Sequence, residues 1–116
     1  MAVIINARIY TGEQTIEDGF IRFGRTIEAI GPMAAFEEVA GEETIDAHYQ
    51  SLIPGMIDVH IHGGYDVDVM DGDAKSLRHF SQQMLQEGVT SFLATTITQD
   101  WENITQALET VREVVA

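Results

Sequence analysis

Cysteine is absent from the 116 residues, which excludes a disulfide framework and thiolate chemistry and leaves the redox compartment open. Basic side chains are scarce: 6 Lys and Arg stand against 19 Asp and Glu, for a net charge of -13. A surface this acidic repels phosphate backbones and anionic bilayers, so no nucleic acid and no membrane partner is expected. Long apolar runs are missing as well, since no stretch approaches the about 18 apolar residues of a membrane-spanning helix. Met1 to Arg8 has neither the basic start nor the extended apolar core of a signal peptide, and a cytoplasmic protein is the expectation. No Gly-x-Ser-x-Gly elbow, no glycine-rich phosphate cradle and no Cys/His pairing occurs, which leaves nucleophilic acyl transfer and nucleotide chemistry without support.

What is present is ordinary for a folded protein of one-domain length, with 45% hydrophobic and 22% charged residues. Ala2 to Tyr10 reads as a strand ended by Thr11-Gly12-Glu13. Phe20 to Phe23 and Thr26 to Ile30 read as two further strands, with the alternation of a half-buried antiparallel sheet. Gly24-Arg25 between them fits a two-residue type II′ hairpin, and Gly31-Pro32 is expected to stop the third strand. Met33 to Val39 predicts a short helical turn and Thr44 to Ala47 another strand.

Near Ser51 to Pro54 the pattern changes to strand, helix, strand, helix, which divides the chain into 1–53 and 54–116. Asp71-Gly72-Asp73 supplies caps for a helix to about Glu87, with Leu77, Phe80, Met84 and Leu85 on its apolar face and Gly88 as a left-handed stop. Val89 to Thr95 has the apolar, β-branched character of a parallel strand covered on both faces. Thr98 or Asp100 caps a last helix, in which Trp101, Ile104, Leu108, Val111 and Val115 form one stripe expected to be core.

The stretch with chemistry runs from Pro54 to Tyr65 and contains Asp58, His60 and His62 at alternating positions of a predicted strand, Met56 to Ile61, and its end. These three side chains share one face, while Ile57, Val59 and Ile61 share the other. Residues two apart on a strand lie roughly 6.5 to 7 Å apart at Cα, from which two imidazoles can lean onto one divalent cation. The same pattern fits two partly exposed histidines; the setting, a buried-looking strand ending in Gly63-Gly64, favours the metal. Asp58 fits a hydrogen-bond partner better than a direct ligand. Gly63 and Gly64 present backbone to a substrate or form a plain tight turn. Asp66, Asp68, Asp71 and Asp73 invite a calcium reading, which fails because an EF-hand loop requires other residues at Met70, Asp71 and Leu77. Asp71 and Asp73 are simpler as helix-start residues, and His48 and His79 stand alone as surface histidines.

The run Pro54-Gly55-Met56-Ile57-Asp58-Val59-His60-Ile61-His62 resembles the amidohydrolase superfamily, and His62 to Asp68 with Gly88 to Thr98 resembles its N-acetylglucosamine-6-phosphate deacetylases in particular. The resemblance implies an α/β fold: the start of a metal-dependent (β/α)8 TIM-like barrel, preceded by a small antiparallel β-sandwich domain and truncated. Residues 1–53 would be part of the sandwich domain and 54–116 the first two βα units of the barrel. It implies that His60 and His62 hold a divalent metal, zinc or iron, as one or two ions, and that Gly63 and Gly64 border the substrate. The catalytic aspartate, a glutamate and two further histidines would lie beyond Ala116, so the 116-residue chain alone is expected to be inactive. The implied reaction, in amino-sugar catabolism, is hydrolysis of the N-acetyl amide of a small-molecule amino-sugar phosphate, N-acetylglucosamine 6-phosphate, to glucosamine 6-phosphate and acetate. A homodimer is implied for the complete enzyme. Two alternatives stand beside it: an amidohydrolase of a cyclic amide or an N-acyl amino acid, and a non-catalytic domain with structural histidines.

Overall fold

Strand β1 (Ala2–Tyr10) organises the amino-terminal half, because it pairs on both of its edges. Along one edge it runs antiparallel to β2 (Thr15–Phe23), which in turn pairs antiparallel with β3 (Ile27–Pro32). Along the other it pairs parallel with β4 (Glu43–Asp46) and, further on, with β5 (Ser51–Leu52). Strand β1 buries Val3, Ala7 and Ile9 and β2 buries Phe20, but a register shift between Ile4 and Ala7, with Asn6 at φ 53°, breaks the two-residue period of β1 between Val3 and Ala7. These observations come from a computed structural model, which describes residues 1–115 and divides the chain into two compact units, Met1–Pro54 and Gly55–Ala116.

The amino-terminal sheet is therefore mixed rather than antiparallel. The chain leaves β3 at one edge, passes through a 3-10 turn at Met33–Ala35, and rejoins the sheet beyond β1, running in the direction of β1. Arg22 ties this connection to β2: its guanidinium forks onto Glu42 at 2.6 and 3.0 Å and donates to the Glu37 carbonyl at 2.8 Å. Three local expectations are corrected. Strand β2 begins at Thr15 rather than Phe20, because Thr15 and Ile16 pair with Tyr10 and Ile9 of β1, across a register shift that holds the exposed Glu17 and Asp18. The β2–β3 loop spans Gly24 to Thr26 between the Phe23↔Ile27 pair, and Gly24 lacks the positive φ of a type II′ turn. Gly31 and Pro32 stay within β3, where an edge position tolerates the missing donor of proline.

In the carboxyl-terminal unit, β6 (Met56–Ile61) is followed by a hairpin of β7 (Gly63–Gly64) and β8 (Val67–Asp68), a 3-10 turn at Val69–Asp71, and helix α1 (Ala74–Gln86). Strand β9 (Val89–Ala94) then returns parallel to β6, and helix α2 (Trp101–Val115) follows. Helix α1 forms because Asp73 caps it, accepting from the N–H groups of Lys75 and Ser76, and because Leu77, Phe80 and Met84 bury one face with Val69. Gly88, at φ +79°, ends it. Asp100 rather than Thr98 caps α2, accepting from the Asn103 N–H at 2.9 Å.

Two expectations about burial are overturned. Strand β9 is covered on one face only: Phe92 and Ala94 pack on the α1 core, while Leu93 remains 61% exposed, as do Ile57 at 67% and Val59 at 69% on β6. Among the described residues one helical layer covers this pair of strands, so half of their apolar surface has no partner. The apolar stripe of α2 also divides. The helix buries Ala107 and Thr110 and leaves Trp101 80% exposed, along with Leu108 and Val115. The inward face is shifted round from that stripe: Val111 and Val114 pack on the α1 core beside the buried Ala107 and Thr110, and Thr110 satisfies its hydroxyl on the Gln106 carbonyl at 3.0 Å. Leu85 of α1 is likewise exposed.

Candidate metal centre

The two histidines stand at the carboxyl end of β6 and lean together. Their Nε2 atoms are 3.2 Å apart, with ring centroids at 5.0 Å and planes at 81°. Two ligands on one tetrahedral cation, each about 2.0–2.1 Å from it, have nitrogens about 3.3 Å apart. The observed separation is close to that spacing and is also that of a hydrogen bond between the two rings. His62 is held further: its Nδ1 lies 3.0 Å from the carbonyl oxygen of Thr95, just beyond β9. A carbonyl only accepts, so Nδ1 of His62 carries a proton there, and in the neutral ring the Nε2 lone pair faces His60 Nε2. Thr95 is in turn fixed by its own N–H, which donates to the Ile61 carbonyl at 2.9 Å.

Gly63 follows directly, with φ at +148°, and a Cβ there would lie 2.0 Å from the Val67 carbonyl oxygen. The β7–β8 hairpin turns through Tyr65 and Asp66, at φ 55° and 60°, the left-handed pair of a type I′ turn. Neither is a glycine, and the conformation is sustained by its attachments. The Tyr65 hydroxyl donates to Glu87 at the end of α1, which raises the phenol above its ordinary pKa, and its ring packs 6.4 Å from Phe80. The Val69 N–H donates to the His62 carbonyl at 2.8 Å, and the buried Val69 side chain anchors that link in the core.

The neighbouring carboxylates are mostly committed to backbone. Asp68 accepts from the Met70 N–H at 2.8 Å while Asp71 accepts from the Asp68 N–H at 2.9 Å, a reciprocal cap. Beside them an open groove of about 430 Å³ is bordered by His62, Gly63, Gly64, Asp66 and Asp68. A larger one, about 580 Å³, lies among Leu77, Leu85, Phe92 and Val111; it is apolar, carries no titratable group and is a packing gap rather than a site. Among the described residues no group of three His, Cys, Asp or Glu side chains converges on one point. Asp58 does not join the pair as a ligand, and the expected sharing of one face is corrected: Asp58 pairs with Phe92 on the side of the α1 core, where Ile61 also packs, while Ile57 and Val59 are on the uncovered side, and the Asp58 Oδ1 accepts from the His60 N–H at 3.0 Å. His48 lies in the amino-terminal unit beside Asp46, and His79 is exposed on α1. The partner that sequence reasoning missed is Thr95, which acts through its backbone and so leaves no side-chain signal; only the N–H···O bond that holds it to Ile61, one residue past the Ile61↔Ala94 pair, reveals it.

The profile of the amidohydrolase family matches residues 51–116. The N-acetylglucosamine-6-phosphate deacetylase of Bacillus subtilis (strain 168) is 58% identical over 62 residues, which are 53% of this chain and 16% of that protein. The enzyme of the same name from Vibrio furnissii is 36% identical over 107 residues, 90% of this chain and 26% of its own. The crystal structure of N-acetylglucosamine-6-phosphate deacetylase from Pasteurella multocida superposes with a TM-score of 0.88 at 28% identity, over 98% of this chain and 30% of that one. The chain thus spans less than a third of the length of these relatives. With the profile matching more than half of the chain, including the strand that carries both histidines, the protein belongs to the amidohydrolase family.

Proposed function

We propose that this chain is the amino-terminal portion of a metal-dependent N-acetylglucosamine-6-phosphate deacetylase, an enzyme of amino-sugar catabolism. In this reading residues 1–53 belong to a small β-sandwich domain, and residues 54–116 are the first two βα units of a (β/α)8 barrel. The order β6, α1, β9, α2, the parallel pairing, and the placement of both histidines at the carboxyl end of a strand support it. The observation that carries the reading is the convergence of the His60 and His62 Nε2 atoms at 3.2 Å, with the His62 tautomer set by Thr95.

His60 and His62 would hold a divalent cation, zinc or iron, as one or two ions. When bound, it would supply Lewis-acid polarisation of the N-acetyl carbonyl and lower the pKa of water into the neutral range. Thr95 keeps the His62 lone pair directed at the site. Gly63 and Gly64, without side chains, leave the groove beside His62 open to the sugar. A glutamate, two histidines and the aspartate that accepts and returns the proton would come from later strands. A chain with 19 acidic and 6 basic residues offers few cations to a sugar phosphate, so those that bind it would come mostly from elsewhere in the complete enzyme. A cytoplasmic homodimer completes the proposal.

The test is acetate release from N-acetylglucosamine 6-phosphate by the longest product of the native reading frame, with the unphosphorylated sugar and a chelator as controls. Release that needs the phosphate and stops with chelator is expected, as is none from the 116-residue chain alone. A folded, metal-loaded long product that releases no acetate would overturn the assignment and move it to another amide substrate.

A further inference from the structure

Asp58 shares the strand of the two histidines and has no task in the reading above. Its surroundings are irregular. Between the pairs Asp58↔Phe92 and Ile61↔Ala94, β6 advances three residues while β9 advances two, so β6 carries one extra residue over Val59–His60. An earlier irregularity has the opposite sense: Met56↔Val89 gives way to Ile57↔Ser91, leaving Thr90 as the extra residue of β9. Thr90 packs there against Gly55, where a Cβ would come within 2.2 Å of its Cγ2, and its Oγ1 donates to the Met56 carbonyl at 3.4 Å. The two irregularities cancel. Register at Ile61 is what it was at Met56, Ala94 arrives level with Ile61, and Thr95, one residue on, comes within reach of the His62 ring.

A bulge removes its extra residue from the regular ladder and re-aims the side chain it carries. The displaced backbone donor needs an acceptor. Here the His60 N–H donates to Asp58 Oδ1 at 3.0 Å, two residues back on the same strand. We propose that Asp58 is a positioning residue: its carboxylate caps the bulge at Val59–His60 and so turns the His60 ring onto that of His62. This rests on the metal-site reading only for what the paired rings do, not for how they are held. An alanine at 58 would leave the bulge without its acceptor. The strand would be free to relax toward regular pairing, which re-aims His60 and parts the two Nε2 atoms. An asparagine keeps the accepting oxygen and with it the geometry.

Nuclear Overhauser contacts between the His60 and His62 rings, in the metal-free 116-residue chain, test the placement directly. Calorimetric titration with Zn²⁺ tests its consequence. The wild type is expected to show the ring contact and to bind zinc, with His60→Ala abolishing binding. Asp58→Ala is expected to lose the contact and to bind zinc about 10–100-fold more weakly, and Asp58→Asn to restore both. An Asp58→Ala chain that keeps the ring contact and wild-type affinity would overturn the proposal. If that variant does not fold, a through-hydrogen-bond coupling between the His60 nitrogen and the Asp58 carboxylate carbon in the wild type decides: its presence, with recovery in Asp58→Asn, supports the role, and its absence overturns it. Zinc binding unchanged by His60→Ala would sink the metal-site reading instead, while the ring contact still decides the part played by Asp58.

Discussion

Gly63 has no room for a side chain. Its φ of +148° and the 2.0 Å approach of a built Cβ to the Val67 carbonyl oxygen mean that any substitution must pry the β7–β8 hairpin off the end of β6. Gly63→Ala is expected to lower stability by at least about 2 kcal/mol in denaturant unfolding. Gly24→Ala, whose nearest neighbour is Glu28 Oε1 at 3.9 Å, is expected to stay within about 0.5 kcal/mol. Equal losses for the two would refute the steric argument. Asp73 gives a second prediction. Hydrogen bonds from the Ser76 hydroxyl and from the Lys75 and Ser76 N–H groups hold its carboxyl below the ordinary carboxylate pKa. A group depressed in the folded state stabilises it above the unfolded value, about 3.9, and that contribution fades as the pH falls through the folded one. Asp73→Asn keeps a capping oxygen but cannot titrate, so its melting temperature is expected to fall less steeply than that of the wild type below about pH 4. Parallel curves would contradict this. At this scale His60 and His62 were legible in the sequence because their chemistry resides in side chains with a fixed spacing. Thr95 and the left-handed Tyr65-Asp66 turn were not, because every residue type carries a carbonyl acceptor, and the positive φ of this turn is held by tertiary attachments rather than announced by a glycine.

Elements were legible where one period dominated. Strands β1 and β9 and helices α1 and α2 carry clear patterns and caps, and the structure places them close to the expected bounds. Strand β5 and the β7–β8 hairpin are two-residue pairings that depend on a partner already in place, and no periodicity fits in two residues. Parallel addition of β4 to β1 was hidden for a related reason: sequence gives a strand its faces but not the direction of its neighbour. The α2 stripe was half right, because periodicity fixes the spacing of an apolar face but not the edge at which it stops: Val111 packs on the α1 core beside the face of Ala107 and Thr110, while Trp101, Leu108 and Val115 fall outside it. This distinction is measurable. Phe80→Ala, which empties a fully buried position of the α1 core, is expected to cost about 3–5 kcal/mol. Trp101→Ala, at 80% exposure, is expected to cost within about 0.5 kcal/mol despite removing the larger ring. A comparable loss at Trp101 would mean that α2 packs through its greasy stripe after all.

For the whole molecule, the exposed apolar residues Ile57, Val59 and Leu93 and, among the described residues, the lack of a third donor beside His60 and His62 have one explanation under the proposed function. A parallel strand pair needs cover on both faces, and a cation held by two imidazoles needs further donors; in the proposed barrel both come from later βα units. The family membership rests on the matched segment, and the catalytic assignment rests on what His60 and His62 do together. Anomalous diffraction from crystals of the longest product, recorded at the absorption edge of its bound metal, addresses that point most directly. The account predicts a peak about 2.0–2.2 Å from the Nε2 atoms of both His60 and His62, with the Thr95 carbonyl still bonded to Nδ1. A metal bound elsewhere, with the two imidazoles bonded to each other and not to it, would contradict it.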